Sequence, residues 1–128
     1  MSRRSIVLVL GLICLACGCA KTARKPARVK VILLNGTDHT VEQLRASDGS
    51  FTFGGGILPP GNASSSDGPA PRARSIVVRW KPEHGEPNQV VVPTSEMLQT
   101  DRGFTIFRLE TLDSVRVYRI SWDEFLRT

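Results

Sequence analysis

Hydrophobic and polar residues alternate over short stretches of the C-terminal hundred residues, which is the pattern of strands that bury one face. In residues 74–80, Ile76, Val78 and Trp80 fall on the same side of the chain, so we expect Trp80 to point into a core. Six further stretches, rich in β-branched or aromatic residues, complete a set of seven predicted strands. They are residues 29–35, 41–46, 51–53, 89–92, 104–110 and 114–120.

Turn-forming residues lie between the predicted strands. The dipeptide Asn35-Gly36 predicts a hairpin that joins residues 29–35 to residues 41–46, and Asp48-Gly49 predicts the turn that follows. Residues 81–88 contain two prolines and a glycine, and they predict a further hairpin connection.

The longest stretch without a strand pattern is residues 54–73, in which twelve of twenty positions are Gly, Pro or Ser. We predict an irregular loop here, because these residues favour turns and are depleted in strands. Ile57 and Leu58 form an apolar pair inside it.

About seven short strands in roughly 100 residues are typical of a small immunoglobulin-like antiparallel β-sandwich. We therefore predict an all-β fold of this type, with a small barrel as the competing architecture. The Cys-Trp-Cys arrangement of antibody domains is missing, since no cysteine follows Cys19.

The chain has 17 Lys and Arg against 12 Asp and Glu, a formal net charge of +5, but this charge is unevenly placed. Seven basic residues precede Val31, and from there onward twelve acidic residues outnumber ten basic ones. A nucleic-acid-binding protein is expected to carry positive charge on its folded surface. We therefore predict no nucleic-acid partner.

The first twenty residues have the organisation of a secretory signal. Two arginines precede an apolar run over residues 6–16, and cysteines occupy positions 14, 17 and 19. The run is too short for a bilayer span, which needs roughly 20 residues.

The residues Ala16 and Gly18 before Cys19 resemble the lipobox of bacterial prolipoproteins. The resemblance is confined to residues 1–20. It implies that Cys19, or as second choice Cys17, is acylated with fatty acids such as palmitate and becomes the mature N-terminus. Residues 1–18 are then a lipoprotein signal peptide, residues 19–28 a basic tether and residues 29–128 the folded domain.

The same resemblance implies a location in the cell envelope, on a membrane. Each buried methylene contributes about 0.8 kcal/mol, so that more than one acyl chain gives stable anchoring. In a Gram-negative cell, Ala20 in place of Asp after the acylated cysteine implies the outer membrane, with the domain facing the periplasm.

Side chains suited to catalysis or metal binding are few. His39 and His84 are the only histidines, and neither has a second histidine or a cysteine at ligand spacing. A triad drawn from His39, Asp38 and the serines at 64–66 lacks the sharp turn that presents a nucleophile. We predict no enzymatic activity, no metal and no cofactor; the alternative is a periplasmic hydrolase or metal carrier that uses His39 or His84.

The leading hypothesis is a binding or scaffold module for another envelope protein or polymer. The predicted contact residues are the apolar pair of the long loop and three C-terminal residues at helical spacing: Ile57, Leu58, Trp122, Phe125 and Leu126.

A set of arginines, Arg108, Arg116 and Arg119, is predicted on the face of a strand. The structural interpretation is a solvated sheet surface, and the functional interpretation is contact with an anionic envelope polymer.

Overall fold

A computed structural model describes residues 27–127. Eight strands and two short helical segments follow one another along these residues. The strands are β1 (Arg28–Asn35), β2 (Val41–Ser47), β3 (Thr52–Gly54), β4 (Ala63–Pro69), β5 (Ser75–Pro82), β6 (Asn88–Pro93), β7 (Gly103–Thr111) and β8 (Ser114–Ser121). A 3-10 turn, Thr94–Glu96, precedes β7, and the helix α1 (Trp122–Arg127) follows β8.

The strands form two four-stranded sheets, in the orders β4-β1-β7-β8 and β3-β2-β5-β6. Neighbouring strands are antiparallel except for β1 and β7, which run parallel. The predicted all-β sandwich is confirmed.

The core lies between the sheets and is built from the alternating apolar residues that the sequence indicated. Val31 and Leu33 of β1 and Ile76 and Val78 of β5 are fully buried. Trp80 is 1% exposed, and its indole N–H donates to the carbonyl oxygen of Leu112 at 2.8 Å. Burial of one such side chain contributes about 1.5–3 kcal/mol, so this alternation is the main source of stability.

The prediction of an irregular loop over residues 54–73 is wrong for residues 63–69, which form β4, a strand beyond the seven that were predicted. β4 pairs along its whole length with β1, from Leu34 opposite Ala63 to Arg28 opposite Pro69. Its serines and glycine are poor strand formers, but they lie at a sheet edge, where one ladder suffices. Glycine is required at position 68, because a Cβ there would collide with the rings of Phe51 and Phe53.

The predicted hairpin at Asn35-Gly36 is also wrong, because β1 and β2 belong to different sheets. The Asn35 side chain is completely buried, and its Nδ2 donates to the carbonyl oxygens of His39 at 2.7 Å and Leu58 at 2.9 Å. Its Oδ1 accepts the backbone N–H of Thr37 at 3.0 Å. This side chain organises a crossover between the sheets where the dipeptide suggested a two-residue turn.

The turn at Asp48-Gly49 is confirmed between β2 and β3. The Asp48 carboxylate accepts the backbone N–H groups of Phe51 at 2.9 Å and Ser50 at 2.8 Å. These two hydrogen bonds, with Phe51 the stronger influence, lower the pKa of the Asp48 carboxyl, since they favour its charged form. Gly49 takes a φ of +94°, which glycine adopts at little cost.

Candidate functional site

The cysteines predicted to be acylated, Cys19 and Cys17, lie outside the described residues. The described residues begin at Ala27, and β1 begins at Arg28. The carbonyl oxygen of Arg28 accepts the N–H of Thr100 at 2.8 Å. The start of β1 therefore lies beside the segment that precedes β7. We call this end of the sandwich the β1-start end.

The predicted apolar contact residues lie at opposite ends of the sandwich and do not form one surface. Leu58 bridges to Val41 near the end of β1, is only 7% exposed and belongs to the core, so that only Ile57, 67% exposed, is available for contact. The helix α1 lies at the β1-start end, where the Trp122 N–H donates to the carbonyl oxygen of Arg102.

Helix α1 confirms the helical spacing of the C-terminal residues. Trp122 and Phe125 pack with Phe104, with ring centroids 5.4 and 5.7 Å from that of Phe104. Phe125 is nevertheless 52% exposed and Leu126 is 77% exposed. No helix within residues 27–127 is long and apolar enough to cross a bilayer.

The structure brings the two histidines to one cavity of about 690 Å³ at the end opposite to α1. His39 enters from the β1–β2 connection and His84 from the β5–β6 connection. Each pairs with its neighbour in sequence: His39 Nε2 lies 3.3 Å from Asp38, and His84 Nε2 lies 3.1 Å from Glu83. Among residues 27–127, no group of three or more His, Cys, Asp or Glu is placed to hold a metal ion.

The serines considered for a nucleophilic triad lie in β4. Ser64, Ser65 and Ser66 pair with consecutive residues of β1, and the Ser66 hydroxyl accepts the N–H of Gly54 at 3.2 Å. They are part of a regular ladder, which lacks the sharp elbow that exposes a nucleophile.

Each of the arginines noted in the sequence has a carboxylate nearby. Arg108 and Arg116 are directly opposite on β7 and β8, and the Nε of each lies 3.6 Å from a carboxylate oxygen of Glu110. Arg119 Nε lies 3.8 Å from Glu96. Glu110 also accepts the hydroxyl hydrogen of Tyr118 at 2.9 Å.

A second cationic group, which the sequence did not single out, lies on the outward face of the other sheet. Arg45 of β2 is directly opposite Arg79 of β5, and Lys81 follows two positions along β5. With Gln43 and Gln89 they line a cavity of about 420 Å³, which we call the cationic cavity. Its other lining residues are Trp80, Pro87 and Asn88.

An irregularity in β2 places these groups together. Two residues, Gln43 and Leu44, fall opposite Trp80 because the register shifts between Glu42 and Arg45. Gln43 has a φ of +54°, in the left-handed region that residues other than glycine seldom adopt. Such a bulge bends the strand and redirects a side chain. Here it keeps Val41 and Leu44 buried while it adds one outward amide beside Arg45.

The apolar positions of β2 carry a sequence signal for this bulge. The buried residues are Val41, Leu44 and Ala46, and the first interval is three residues where regular alternation requires two. The cationic cavity itself had no such signal, because Arg45 and Arg79 are distant in sequence and become neighbours only through strand pairing.

The comparison with solved structures finds a similar fold in a protein from Eubacterium rectale determined by NMR. The two share 14% sequence identity over 72% of this chain and 87% of that one, with a TM-score of 0.50. This likeness concerns the fold alone. No protein-family model and no curated protein matches the chain.

Proposed function

We propose that the protein is a lipid-anchored component of a bacterial cell envelope, acylated at Cys19, and that its sandwich is a non-enzymatic binding module. The lipobox-like residues 16–19 carry this proposal. The position at which the domain begins supports it. At 3.3–3.6 Å per residue, residues 20–27 reach at most about 30 Å, so a lipid on Cys19 keeps the β1-start end close to the bilayer.

The exposed apolar side chains at the β1-start end fit this arrangement. Beside Arg28, the β1-start end presents the exposed apolar side chains of Phe125 and Leu126 and the cation of Arg127. Apolar side chains flanked by arginine suit the boundary between anionic head groups and acyl chains. The same helix also carries the exposed carboxylates of Asp123 and Glu124, so its apolar side chains, and not a net positive charge, support this orientation.

Intact mass of the mature protein, isolated from membranes of a bacterium that produces the full chain, tests the anchoring. We expect a polypeptide that begins at Cys19 and carries acyl chains. Cys19→Ala should abolish the added mass, whereas Cys17→Ala, the matched control, should retain it. A mature protein that begins at Met1, or one without lipid, contradicts the proposal.

Fluorescence quenching by brominated lipid tests the orientation. In the anchored protein on vesicles, we expect quenching of Trp122, which lies in α1, and little quenching of Trp80 in the core. The variant Trp122→Phe should lose most of the quenching. Equal quenching before and after this substitution contradicts the orientation and leaves the lipid anchor itself unaffected.

The alternative of a metal carrier or hydrolase at the histidines is favoured by one observation, that His39 and His84 line the same cavity. A titration of the full chain with Zn²⁺, with His39→Ala/His84→Ala as the comparison, tests it. Identical titrations of the two proteins exclude the metal carrier.

A further inference from the structure

Arg45 and Arg79 are a like-charged pair at directly opposed positions of two antiparallel strands. Like charges placed in this way destabilise a sheet unless another group compensates them. Lys81 adds a third positive charge to the same cavity.

The described part of the protein supplies no counter-charge. Within residues 27–127, no carboxylate oxygen lies within 4.0 Å of the charged atoms of Arg45, Arg79 or Lys81. Glu42 is opposite Lys81 in register but forms no ion pair with it. The Glu83 carboxylate contacts His84 at 3.1 Å, and Lys81 Nζ donates to two backbone carbonyl oxygens, those of Pro82 at 3.3 Å and Glu83 at 3.4 Å.

The two glutamines that line the cavity each accept a hydrogen bond from an arginine. Arg45 Nη1 donates to the side-chain oxygen of Gln43 at 3.1 Å, and Arg79 Nε donates to that of Gln89 at 3.0 Å. Because each glutamine uses its oxygen to accept from an arginine, its amide NH₂ remains available to donate. The cavity thus combines three cations with two amide donors.

We propose that the cationic cavity binds a phosphate monoester group, either of a soluble ligand or at the terminus of a polymer. A phosphate monoester carries a charge of about −1.5 to −2 at pH 7 and three acceptor oxygens. It can therefore accept from both guanidinium groups and from Lys81, whereas one carboxylate neutralises a single positive charge. An anion bound between Arg45 and Arg79 therefore reduces the repulsion between them.

The position of the cavity distinguishes a soluble or polymeric phosphate from a lipid head group. Lys81, Pro87 and Asn88 lie where β5 ends and β6 begins, at the end of the sandwich away from Arg28 and α1. A domain held by its β1-start end turns this cavity away from its own bilayer. The phosphate site itself does not depend on lipid anchoring, so either proposal can fail without the other.

Titration of the full chain with inorganic phosphate, at fixed pH and ionic strength, tests the site. The readout is the NMR shift of the arginine side-chain Nε–H resonances. We expect saturable shifts at Arg45 and Arg79, with smaller shifts at Arg108 and Arg116. For the variants, the readout is the side-chain amide resonances of Gln43 and Gln89, which line the same cavity and are retained. Arg45→Gln/Arg79→Gln should weaken binding at least about tenfold, while the charge-matched control Arg72→Gln/Arg74→Gln should change it less than about twofold.

Two further titrations decide between the anion classes and sources. Acetate at the same ionic strength should shift these resonances much less than phosphate, and an equal response overturns the assignment to phosphate. Phosphatidylglycerol vesicles should act no more strongly than phosphatidylcholine vesicles; a response to the anionic vesicles alone overturns the soluble ligand in favour of a membrane surface. Equal phosphate responses at all four arginines overturn the site altogether.

Discussion

The two sheets of the sandwich each carry a cross-strand pair of arginines on neighbouring strands, and the two pairs differ in their surroundings. Arg108 and Arg116 share the carboxylate of Glu110, whose other contact is the hydroxyl of Tyr118. Arg45 and Arg79 instead donate to the uncharged side-chain amides of Gln43 and Gln89. The first pair therefore shares one counter-charge within the fold, whereas the second pair has none.

This difference separates a structural cluster from a candidate ligand site. Removal of the carboxylate from the first pair leaves two opposed cations without a counter-charge, and addition of a carboxylate to the second supplies one. Substitutions can therefore interconvert the two states, and their effects on stability should have opposite signs. The unfolding free energy, measured by denaturant titration, is the quantity to compare.

The largest effect is expected from Gly36→Ala, which disturbs the arginine pair beside Glu110 without a change in charge. A Cβ at this position would lie 2.5 Å from Arg108 Nε and 2.8 Å from the carbonyl oxygen of Leu109. Because the second contact is with backbone, Arg108 cannot relieve the collision alone. We expect a loss of about 2–3 kcal/mol in the unfolding free energy.

Gly56→Ala is the matched control for this substitution. Nothing lies within 4 Å of a Cβ built on Gly56, and its backbone is outside the left-handed region. We expect its unfolding free energy to stay within about 0.5 kcal/mol of the parent. Equal effects of the two substitutions would show that the Gly36 contact contributes nothing.

The contrast between the arginine pairs also shows what the sequence could reveal. Alternation predicted the strands that build the core, because burial on one face imposes a period of two. It also drew attention to Arg108 and Arg116, which lie on the two arms of one hairpin, but the register shift between Leu109 and Thr111 means that counting from the turn does not place them opposite each other. It could not pair Arg45 with Arg79, because their neighbourhood depends on the bulge and on a long connection between β2 and β5.

The errors of the sequence interpretation also arise from contacts between segments that are distant in sequence. β4 was missed because its strand character comes from the ladder with β1 and not from its residues. The crossover at Asn35 was missed because an Asn-Gly dipeptide has the same appearance whether its amide faces solvent or, as here, satisfies carbonyls of two distant segments.

The next effect in size is expected from Glu110→Gln, which removes the shared counter-charge. Arg108 and Arg116 would then repel each other, and the Tyr118 hydroxyl would lose a charged acceptor. We expect a loss of about 1–2 kcal/mol in the unfolding free energy, together with a new phosphate response at these two arginines. Glu86→Gln, at an exposed position without an ion pair in the described part of the chain, should leave both quantities unchanged. An unchanged unfolding free energy in Glu110→Gln would mean that this arginine pair needs no counter-charge.

Gln89→Glu makes the reverse change at the cationic cavity. The new carboxylate would accept from Arg79 Nε where the Gln89 oxygen now lies, 3.0 Å away. We expect the unfolding free energy to rise by about 0.3–1 kcal/mol at low ionic strength and the phosphate affinity to fall. Asn62→Asp, which adds the same charge in an exposed loop, serves as the control. If both substitutions weaken phosphate binding equally, the effect is one of net charge and the cavity has no special role.

The smallest and sharpest contrast comes from single arginine removals. Arg45→Gln relieves a repulsion, so the unfolding free energy should rise by a few tenths of a kcal/mol, about 0.3, at low ionic strength. Arg116→Gln removes one of two cations beside Glu110, 3.6 Å away, and should lower it by a similar amount, since Arg116 is 68% exposed. Both changes should shrink at about 1 M salt, where the screening length falls to about 3 Å. Denaturant titrations at low and high salt measure all four values. The same sign for the two variants at low salt would remove the distinction between an arginine pair with a counter-charge and one without.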